Sequence, residues 1–311
     1  MNSLCNEPAV LGLQIVMPLD ADTRATIRLL IGAVLISFSA VFVTVLSVPP
    51  TVSAFYRLLF GGGFLLLYIL ATKRSLARAL TGLLAIFLAA AFFAADLWTW
   101  HRSIIYVGPG LATMLANFQV FFLALAGVLF FGERWRWQLM VAIPMALLGL
   151  GMIVGFDWRI LTVEYRTGIW LGLLTAVFYA AYILSLRRMR TDGRQRSAVV
   201  DLALVSLISA AVLGIGAAAA GDSLALSWSR DLGILLAYAL VAQVFGWLLI
   251  AHSLAQVPAS RVGLILLLQP LLAFVWDVLF FSRSITPTEL AGAVLTLLGI
   301  YLGMRKVRRA A

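Results

Sequence analysis

The chain has 311 residues, of which 63% are hydrophobic and only 12% are charged, whereas about 25% of the residues of an ordinary soluble domain are charged. A soluble globule could not bury so much apolar surface, and lipid must therefore be the solvent for most of the chain. The net charge of +10 does not indicate nucleic-acid binding, because the Lys and Arg residues fall between hydrophobic segments, where they favour contact with anionic lipid head groups.

Residues 1–26 precede the hydrophobic segments, and we expect them to form an N-terminal cytoplasmic tail. Residues 9–17 are apolar, but this stretch is short and no basic run precedes it, so it does not resemble a cleavable secretion signal. The single cysteine, Cys5, also lies in this tail. One chain can therefore form neither a disulfide nor a thiolate metal site.

Ten hydrophobic segments follow, each close to the roughly 20 residues that a helix needs to cross the hydrocarbon core of a bilayer. Helix-breaking sequences separate them, as in Val-Pro-Pro at 48–50 and Gly-Pro-Gly at 108–110. The sequence thus predicts an all-α polytopic membrane protein with ten transmembrane helices. We number the predicted spans 1 to 10, and they cover residues 27–47, 53–72, 82–105, 111–131, 136–155, 168–187, 198–220, 232–253, 262–282 and 288–304.

The distribution of positive charge predicts the orientation in the membrane. If the N-terminus is cytoplasmic, 17 of the 23 Lys and Arg residues lie in cytoplasmic segments, five lie on the opposite side, and Arg57 lies inside span 2. Because cytoplasmic segments carry the excess of Lys and Arg, we expect both termini to be cytoplasmic. An even number of spans agrees with this arrangement.

The chain also contains an internal repeat. Residues 103–153 align without a gap onto residues 253–303, and Gln119 and Gln269 are among the identical pairs. Five spans per copy is an odd number, so the second copy must be inverted, as in many carriers that hold their substrate between two inverted halves. The predicted units are residues 27–155 for the first five-helix repeat, residues 168–304 for the second, inverted one, and residues 305–311 for a basic cytoplasmic tail.

Three short motifs resemble those of a known family. The segment LFFGERWRWQ at 129–138 resembles the signature LFLGERLS..Q, which joins the fourth and fifth spans in EamA-like carriers, the ten-helix branch of the drug/metabolite transporter superfamily. AFYRL at 54–58 resembles the opening of that family's second span, and LLLQP at 266–270 resembles its ninth-span motif. The resemblance covers residues 27–304.

This resemblance implies a basket of helices around a central cavity, built mainly from spans 1, 3, 4, 6, 8 and 9. The aromatic-rich spans 3 and 8 are similar to those of bacterial exporters of aromatic and other neutral amino acids, which implies export by alternating access across a bacterial plasma (inner) membrane. Two positions depart from the family pattern: Ser-Arg-Ser at 282–284 replaces a second GE motif, and Val120 stands where the second repeat has Pro270.

Charged residues inside spans are functional candidates, because an unpaired charge at the bilayer centre costs at least about 2.5 kcal/mol and normally faces a cavity or a partner. Asp96 lies near the middle of span 3, where binding of a substrate ammonium group, proton relay and a structural ion pair are all open alternatives. Asp277 and Arg57 lie nearer to the interface, where a structural role is favoured. Arg57 has both carboxylates as candidate partners. Every Glu lies in a tail, in a loop or at the end of a span, which weakens the case for a proton-driven exporter of cationic drugs.

Several amides also lie inside the spans. Asn117 and Gln119 are two residues apart on span 4, and their side chains therefore point about 200° apart. Gln243 lies one turn before Trp247 on the same side of span 8, and this pair is the strongest single candidate for contact with a zwitterion. Gln269 is the repeat mate of Gln119. The alternative role for each amide is a hydrogen bond between helices that holds the bundle together.

Aromatic side chains in spans 1, 3, 6 and 8 would suit a flat apolar substrate through stacking, and they would attract its ammonium group. Packing against lipid or neighbouring helices is the alternative for each of them. The candidate substrate-binding residues are therefore Phe38, Phe42, Asp96, Trp98, Trp100, Asn117, Gln119, Tyr179, Tyr182, Gln243, Trp247 and Gln269.

The sequence lacks the groups of residues that an enzyme site would need. An enzyme requires clustered nucleophiles, bases or metal ligands, and His101 and His252 lie in different spans without a ligand at metal spacing. We expect no enzyme activity, no metal and no cofactor.

The alternatives to an amino-acid exporter are a carrier of sugar phosphates, nucleotide sugars or drugs, and a membrane scaffold. The expected partners are a small-molecule substrate and membrane lipid, but no nucleic acid, and the chain is expected to be a monomer or a weak homodimer. Proton-coupled and facilitated transport are both open.

Overall fold

The computed structural model of this protein describes residues 20–74, 82–134, 136–154, 162–192, 197–226, 230–282 and 284–304, without the side chains of residues 109, 110, 154 and 277. Within these ranges every regular element is a helix. Nine helical segments there are long and apolar enough to cross a membrane, and a shorter apolar helix occupies the place of predicted span 5. The predicted all-helical, multi-pass architecture is confirmed. The tail at 305–311 and most of the tail at 1–26 lie outside the described residues.

Local capping signals place two helix starts earlier than the hydrophobic pattern alone. Span 1 begins at Ala21, because the Asp20 side chain accepts a hydrogen bond from the Thr23 amide at 2.7 Å. Span 6 begins at Val163, where Thr162 caps the helix. The spans run, in order, over Ala21–Ser37 with Ser39–Val45, Pro50–Ala71, Leu83–Gly108, Leu111–Phe131, Trp137–Val154, Val163–Thr191, Ala198–Ala219, Arg230–Ser253, Ala259–Leu266 with Leu268–Phe281, and Pro287–Met304.

Four of the spans depart from regular α-helix near mid-membrane. Span 1 is interrupted at Phe38, span 4 at Asn117 and Phe118, and span 9 at Leu267. The interruptions of spans 4 and 9 occupy equivalent positions of the two repeats. In span 8 the segment Ala239–Gly246 is a π-helix, a form that is rare and occurs frequently at functional sites. Interrupted helices expose backbone only where they border a cavity or protein, and these four spans therefore mark the centre of the bundle.

Spans 5 and 10 pack against each other through small residues. A methyl group on Gly149 would lie 2.5 Å from the carbonyl oxygen of Gly292, so only glycine fits there. The hydroxyl of Thr296 donates to the carbonyl of Ala146 at 3.3 Å. Ala146 and Thr296 are equivalent positions of the two repeats, and the contact between them places spans 5 and 10 at the axis that relates the repeats.

Clusters of buried apolar side chains form the core. Its largest cluster joins buried apolar side chains of spans 1, 2, 3, 6, 7, 8 and 9 with Leu123 of span 4. A second cluster joins spans 4, 5, 9 and 10. Spans 4 and 9 belong to both clusters, and they connect the central bundle to the pair at the repeat axis.

Candidate functional site

A cavity of about 160 Å³ lies where spans 1, 2, 3, 4, 6, 8 and 9 meet. Its wall therefore contains the six spans that the family resemblance implies, together with span 2. Six of the twelve predicted site residues line it, and the other six do not. The lining residues among them are Asp96, Trp100, Asn117, Tyr179, Trp247 and Gln269.

Arg57 of span 2 supplies a fixed positive charge to the cavity wall. Its Nε donates to the Gln243 side-chain oxygen and its Nη1 donates to the Tyr238 hydroxyl, both at 3.1 Å. The guanidinium carbon lies 5.0 Å from the centre of the Tyr238 ring. The side chain is 5% exposed. Two hydrogen bonds and an aromatic face thus hold the guanidinium in one position at the cavity.

Gln243 orients Arg57, and it does not line the cavity itself. It is completely buried, and its amide nitrogen donates to the Ser206 hydroxyl at 2.9 Å while its oxygen accepts from Arg57. The π-helical segment of span 8 explains how it reaches that position. Tyr238 and Gln243 are five residues apart and would point about 140° apart on an α-helix, yet both bond to Arg57.

Asp96 of span 3 supplies a carboxylate to the same cavity. It is 7% exposed, and within the described residues its carboxylate makes neither a hydrogen bond nor an ion pair within 4 Å, so the proposed Arg57–Asp96 ion pair is absent from this part of the chain. The alternative partner of Arg57, the side chain of Asp277, lies outside the described residues. The cavity wall thus contains a guanidinium and a carboxyl group that are not paired with each other in the described part of the chain.

A packed group of aromatic rings borders the cavity. Phe93 and Tyr182 stack with ring centres 4.1 Å apart, and the Trp247 ring meets both edge-on at 5.5 and 4.8 Å. Tyr179 meets Trp247 edge-on at 6.2 Å. Phe93, Tyr179 and Trp247 line the cavity, whereas Tyr182 is completely buried behind them. The indole nitrogen of Trp247 has no hydrogen-bond partner in the described structure, which leaves one buried donor at this wall.

Of the amide side chains in spans 4 and 9, two line the cavity and one forms a hydrogen bond between helices outside it. Asn117 donates to the Thr113 carbonyl at 2.7 Å and keeps an unpaired oxygen at the cavity. Gln269 bonds to the Tyr179 hydroxyl at 3.4 Å. Gln119 is completely buried outside the cavity, and it donates to the Gly263 carbonyl of span 9 at 3.3 Å. Gln119 therefore connects the two repeats.

The three other predicted aromatic residues lie outside the cavity lining. Phe38 stacks on Trp276 at 4.4 Å, and Phe42 stacks on Tyr238 at 5.2 Å. Trp98 is 42% exposed, and the guanidinium of Arg102 lies 5.5 Å from its ring. Phe42 contacts Tyr238 and Gln243 contacts Arg57. Tyr238 and Arg57 line the cavity, whereas Phe42 and Gln243 lie behind them.

Sequence reasoning overlooked several cavity residues. Arg57 was assigned a structural role, and Phe93, Tyr238 and Thr113 were not singled out. The motif AFYRL at 54–58 was the available signal for Arg57, because it places a cation in a span without any adjacent carboxylate. The contact between Tyr238 and Gln243 depends on a π-helical turn that the hydrophobic pattern does not show.

Polar side chains also form contacts at the end of the bundle that carries Arg134. The Glu133 carboxylate accepts hydrogen bonds from the amides of Ala259 and Ser260 at 2.5 and 3.3 Å and from the Ser260 hydroxyl at 2.6 Å. The Arg187 guanidinium donates to the carbonyls of Leu254 and Val257. Glu133 belongs to the first repeat and its partners to the second, so its bonds join the repeats at one end of the bundle, whereas Arg187 and its partners all belong to the second repeat.

Comparison with known proteins identifies the family. The model of the EamA-like transporter family matches residues 23–155 and again residues 166–305. No curated protein matches the chain. One solved crystal structure superposes with a TM-score of 0.78 at 17% sequence identity, over 90% of this chain and 97% of the other, and it shows the same fold. Two family matches that together cover nearly the whole chain agree with the two repeats of helices around one cavity, and the protein is therefore a member of the EamA-like transporter family.

Proposed function

We propose that this membrane transporter exports aromatic and other neutral amino acids across a bacterial inner membrane by alternating access. Membership of the family supports a transporter of the drug/metabolite superfamily. The chemistry of the cavity wall supports the substrate class.

The observation that carries the proposal is the separation of opposite charges at one cavity. Arg57 presents a guanidinium and Asp96 a carboxylate, and the two are not paired with each other. A free amino acid has the complementary pair of groups: its carboxylate suits the guanidinium, and its ammonium group suits Asp96. A bound zwitterion would neutralise both charges without adding net charge to the membrane interior.

The aromatic wall supports a flat or apolar side chain. Trp100, Tyr179, Trp247 and Phe93 border the same cavity, and rings of this kind gain about 0.5–1.5 kcal/mol per well-oriented aromatic contact beyond the area that they bury. A substrate ammonium group near these rings would also gain from cation–π attraction.

Cavity size and charge argue against larger anionic substrates. The volume of about 160 Å³ lies below the range of about 300–1,000 Å³ that is typical of sites for drug-sized ligands. In the part of the chain that the structure describes, Arg57 is the single cationic side chain at the cavity wall. Nucleotide sugars and sugar phosphates carry more negative charge than one guanidinium balances, and a small zwitterion therefore fits better.

Counterflow in proteoliposomes tests the substrate class. Vesicles preloaded with unlabelled Phe, Trp, Met, Thr or glucose 6-phosphate are diluted into labelled Phe, and the initial uptake is compared with that of empty vesicles. We expect uptake with the preloaded amino acids and none with the sugar phosphate. Uptake driven by glucose 6-phosphate alone, or by none of the panel, would reject the amino-acid assignment.

Two variants in the same assay test the proposed charges. Asp96→Asn removes the anion at nearly constant volume, and we expect a rise in KM of roughly tenfold or more, since a hydrogen-bonded charge contributes about 1.5–3 kcal/mol. Asp22→Asn is the matched control: its carboxylate pairs with Arg261 at 3.3 Å far from the cavity, and we expect an unchanged KM. An unchanged KM in Asp96→Asn would remove this residue from the proposed site.

A further inference from the structure

A long apolar crevice lies between spans 4 and 5, although these spans are consecutive in the chain. Two adjoining cavities of about 200 and 520 Å³ form it, and both are bordered by Phe121 and Pro144. Span 5 packs on span 10 at Gly149, and other side chains of span 5 border the crevice. The crevice lies in the wall of the protein, apart from the central cavity.

The crevice opens towards lipid. Phe121 is 39% exposed, Met140 is 55% exposed and Leu148 is 65% exposed, and all three border it. From Leu139 to Met152, which both border the crevice, span 5 advances 13 residues, or about 20 Å along a helix. This length exceeds half of the about 30 Å hydrocarbon core, so the crevice is long enough for one acyl chain of a single leaflet.

One end of the crevice carries positive charge. Arg134 and Arg136 border it in the connection between spans 4 and 5, and Trp137, 63% exposed, begins span 5 at the membrane interface. The neighbouring carboxylate, Glu133, is bonded to Ala259 and Ser260 in the protein interior. The guanidinium groups of Arg134 and Arg136 therefore border the mouth of the crevice.

We propose that this crevice binds an anionic phospholipid, with one acyl chain between spans 4 and 5 and its head-group phosphate on Arg134 and Arg136. Both parts of the ligand match the wall that they meet: the chain meets apolar side chains, and the phosphate meets cations. Basic pockets between transmembrane helices are suited to anionic head groups. The proposal is independent of which substrate the central cavity carries.

Native mass spectrometry and thermal unfolding of the purified protein test this site. Dioleoyl phosphatidylglycerol is compared with dioleoyl phosphatidylcholine, which has the same chains without net charge, and with glycerol phosphate, which has the anion without chains. We expect one tightly bound phosphatidylglycerol and a larger rise in Tm than with phosphatidylcholine, and no effect of glycerol phosphate. Equal effects of the two lipids, or stabilisation by glycerol phosphate, would overturn the proposal.

Substitutions of Arg134 and Arg136 distinguish binding at this site from general attraction of anionic lipid to the positive charge on this side of the protein. In R134Q/R136Q we expect phosphatidylglycerol to bind roughly 30-fold more weakly, because each cation near an anionic lipid contributes about a fivefold gain. The control R74Q/R188Q removes two exposed cations of the same membrane side away from the crevice, and it should retain the lipid. Equal losses in both double variants would show that binding follows net charge alone.

A second substitution tests the acyl chain. Val128 borders the crevice, and Val128→Trp should fill it and displace the bound lipid while both arginines stay in place. Val212→Trp, at a lipid-facing position of span 7 that is 49% exposed, is the matched control and should retain the lipid. If wild type proves to be a dimer that Val128→Trp dissociates, a second copy occupies the crevice and the lipid proposal is wrong.

Discussion

Arg57 shows how a buried charge is held at a membrane cavity. Its bonds to Gln243 and Tyr238 use side chains of the second repeat, whereas Arg57 belongs to the first. The amide of Gln243 is in turn bonded to Ser206. Each group in this chain of contacts has a partner, as buried polar groups require. The guanidinium is therefore positioned before any ligand arrives, which reduces the cost of ordering it on binding.

Replacement of Gln243 by Met tests this arrangement. Met keeps the volume but leaves the Nε of Arg57 and the hydroxyl of Ser206 without their partner, and we expect a loss of about 1–3 kcal/mol in stability. Thermal unfolding in detergent measures the loss as a lower Tm. Leu298→Met, at a position 52% exposed to lipid, is the control and should leave the Tm unchanged. A wild-type Tm in Gln243→Met would show that Arg57 does not depend on this amide.

At the scale of the helices, close approach depends on particular glycines. Spans 5 and 10 meet where Gly149 faces Gly292, and backbone atoms there leave no room for a methyl group. Gly151 lies only two residues further along span 5, but a methyl group there would meet only the flexible end of Met114, at 3.3 Å. The spacing of glycines in the sequence therefore does not show which of them pack against a neighbour.

This difference predicts opposite results for two neighbouring substitutions. Gly149→Ala should lower stability by about 1–3 kcal/mol, because the methyl group forces spans 5 and 10 apart. Gly151→Ala should be neutral or slightly stabilising, because alanine is the better helix former by about 1 kcal/mol. Thermal unfolding of the two purified variants compares them directly. If both lose the same amount, the contact of spans 5 and 10 is not what requires glycine.

At the scale of the whole molecule, the two ends of the bundle differ. Glu133 bonds the end of span 4 to the start of span 9. The equivalent position of the second repeat holds Arg283, so the opposite end has no carboxylate at that place in the sequence. One end therefore has a carboxylate bond between the repeats that the other cannot form in the same way. This asymmetry favours a conformation in which the two repeats are held together at the Glu133 end of the bundle.

Loss of the Glu133 carboxylate should weaken that closure. Each amide left without its acceptor costs about 1–3 kcal/mol, and we expect the fraction of molecules open on this side to rise roughly fivefold or more. In a Cys5→Ser background, a Val257→Cys reporter is completely buried in the closed form. Its rate of labelling by an impermeant maleimide in inside-out vesicles measures the opening, and Glu133→Ala should increase it.

Glu289 provides the matched carboxylate for this experiment. It accepts hydrogen bonds from the Thr286 amide at 2.7 Å and from the Thr286 hydroxyl at 2.9 Å, at the start of its own span. Glu289→Ala should therefore leave the labelling of Val257→Cys unchanged. Equal acceleration by both substitutions would indicate general loosening of the bundle, and no acceleration by Glu133→Ala would show that other contacts close this end.

The sequence by itself determined the features that depend on local composition. The length of apolar runs sets the number of membrane helices, Pro and Gly set their breaks, and the motifs near 54–58, 129–138 and 266–270 identify the family. Asp96 and Trp100 were found at the cavity from sequence because charge and indole groups are unusual within a span. Orientation and site roles stay predictions, because they rest on charge counts and side-chain chemistry without a bound ligand.

Only the tertiary structure decided which of these residues share a surface. Gln243 and Gln119 look alike as single amides in apolar spans, yet one holds a cation at the cavity and the other joins two helices outside it. Their partners lie 186 and 144 residues away in the chain. Periodicity reports on neighbours within one turn of a helix, and it carries no information on the distances between helices. For the same reason, the sequence did not predict the crevice or the contacts of Glu133 between the repeats.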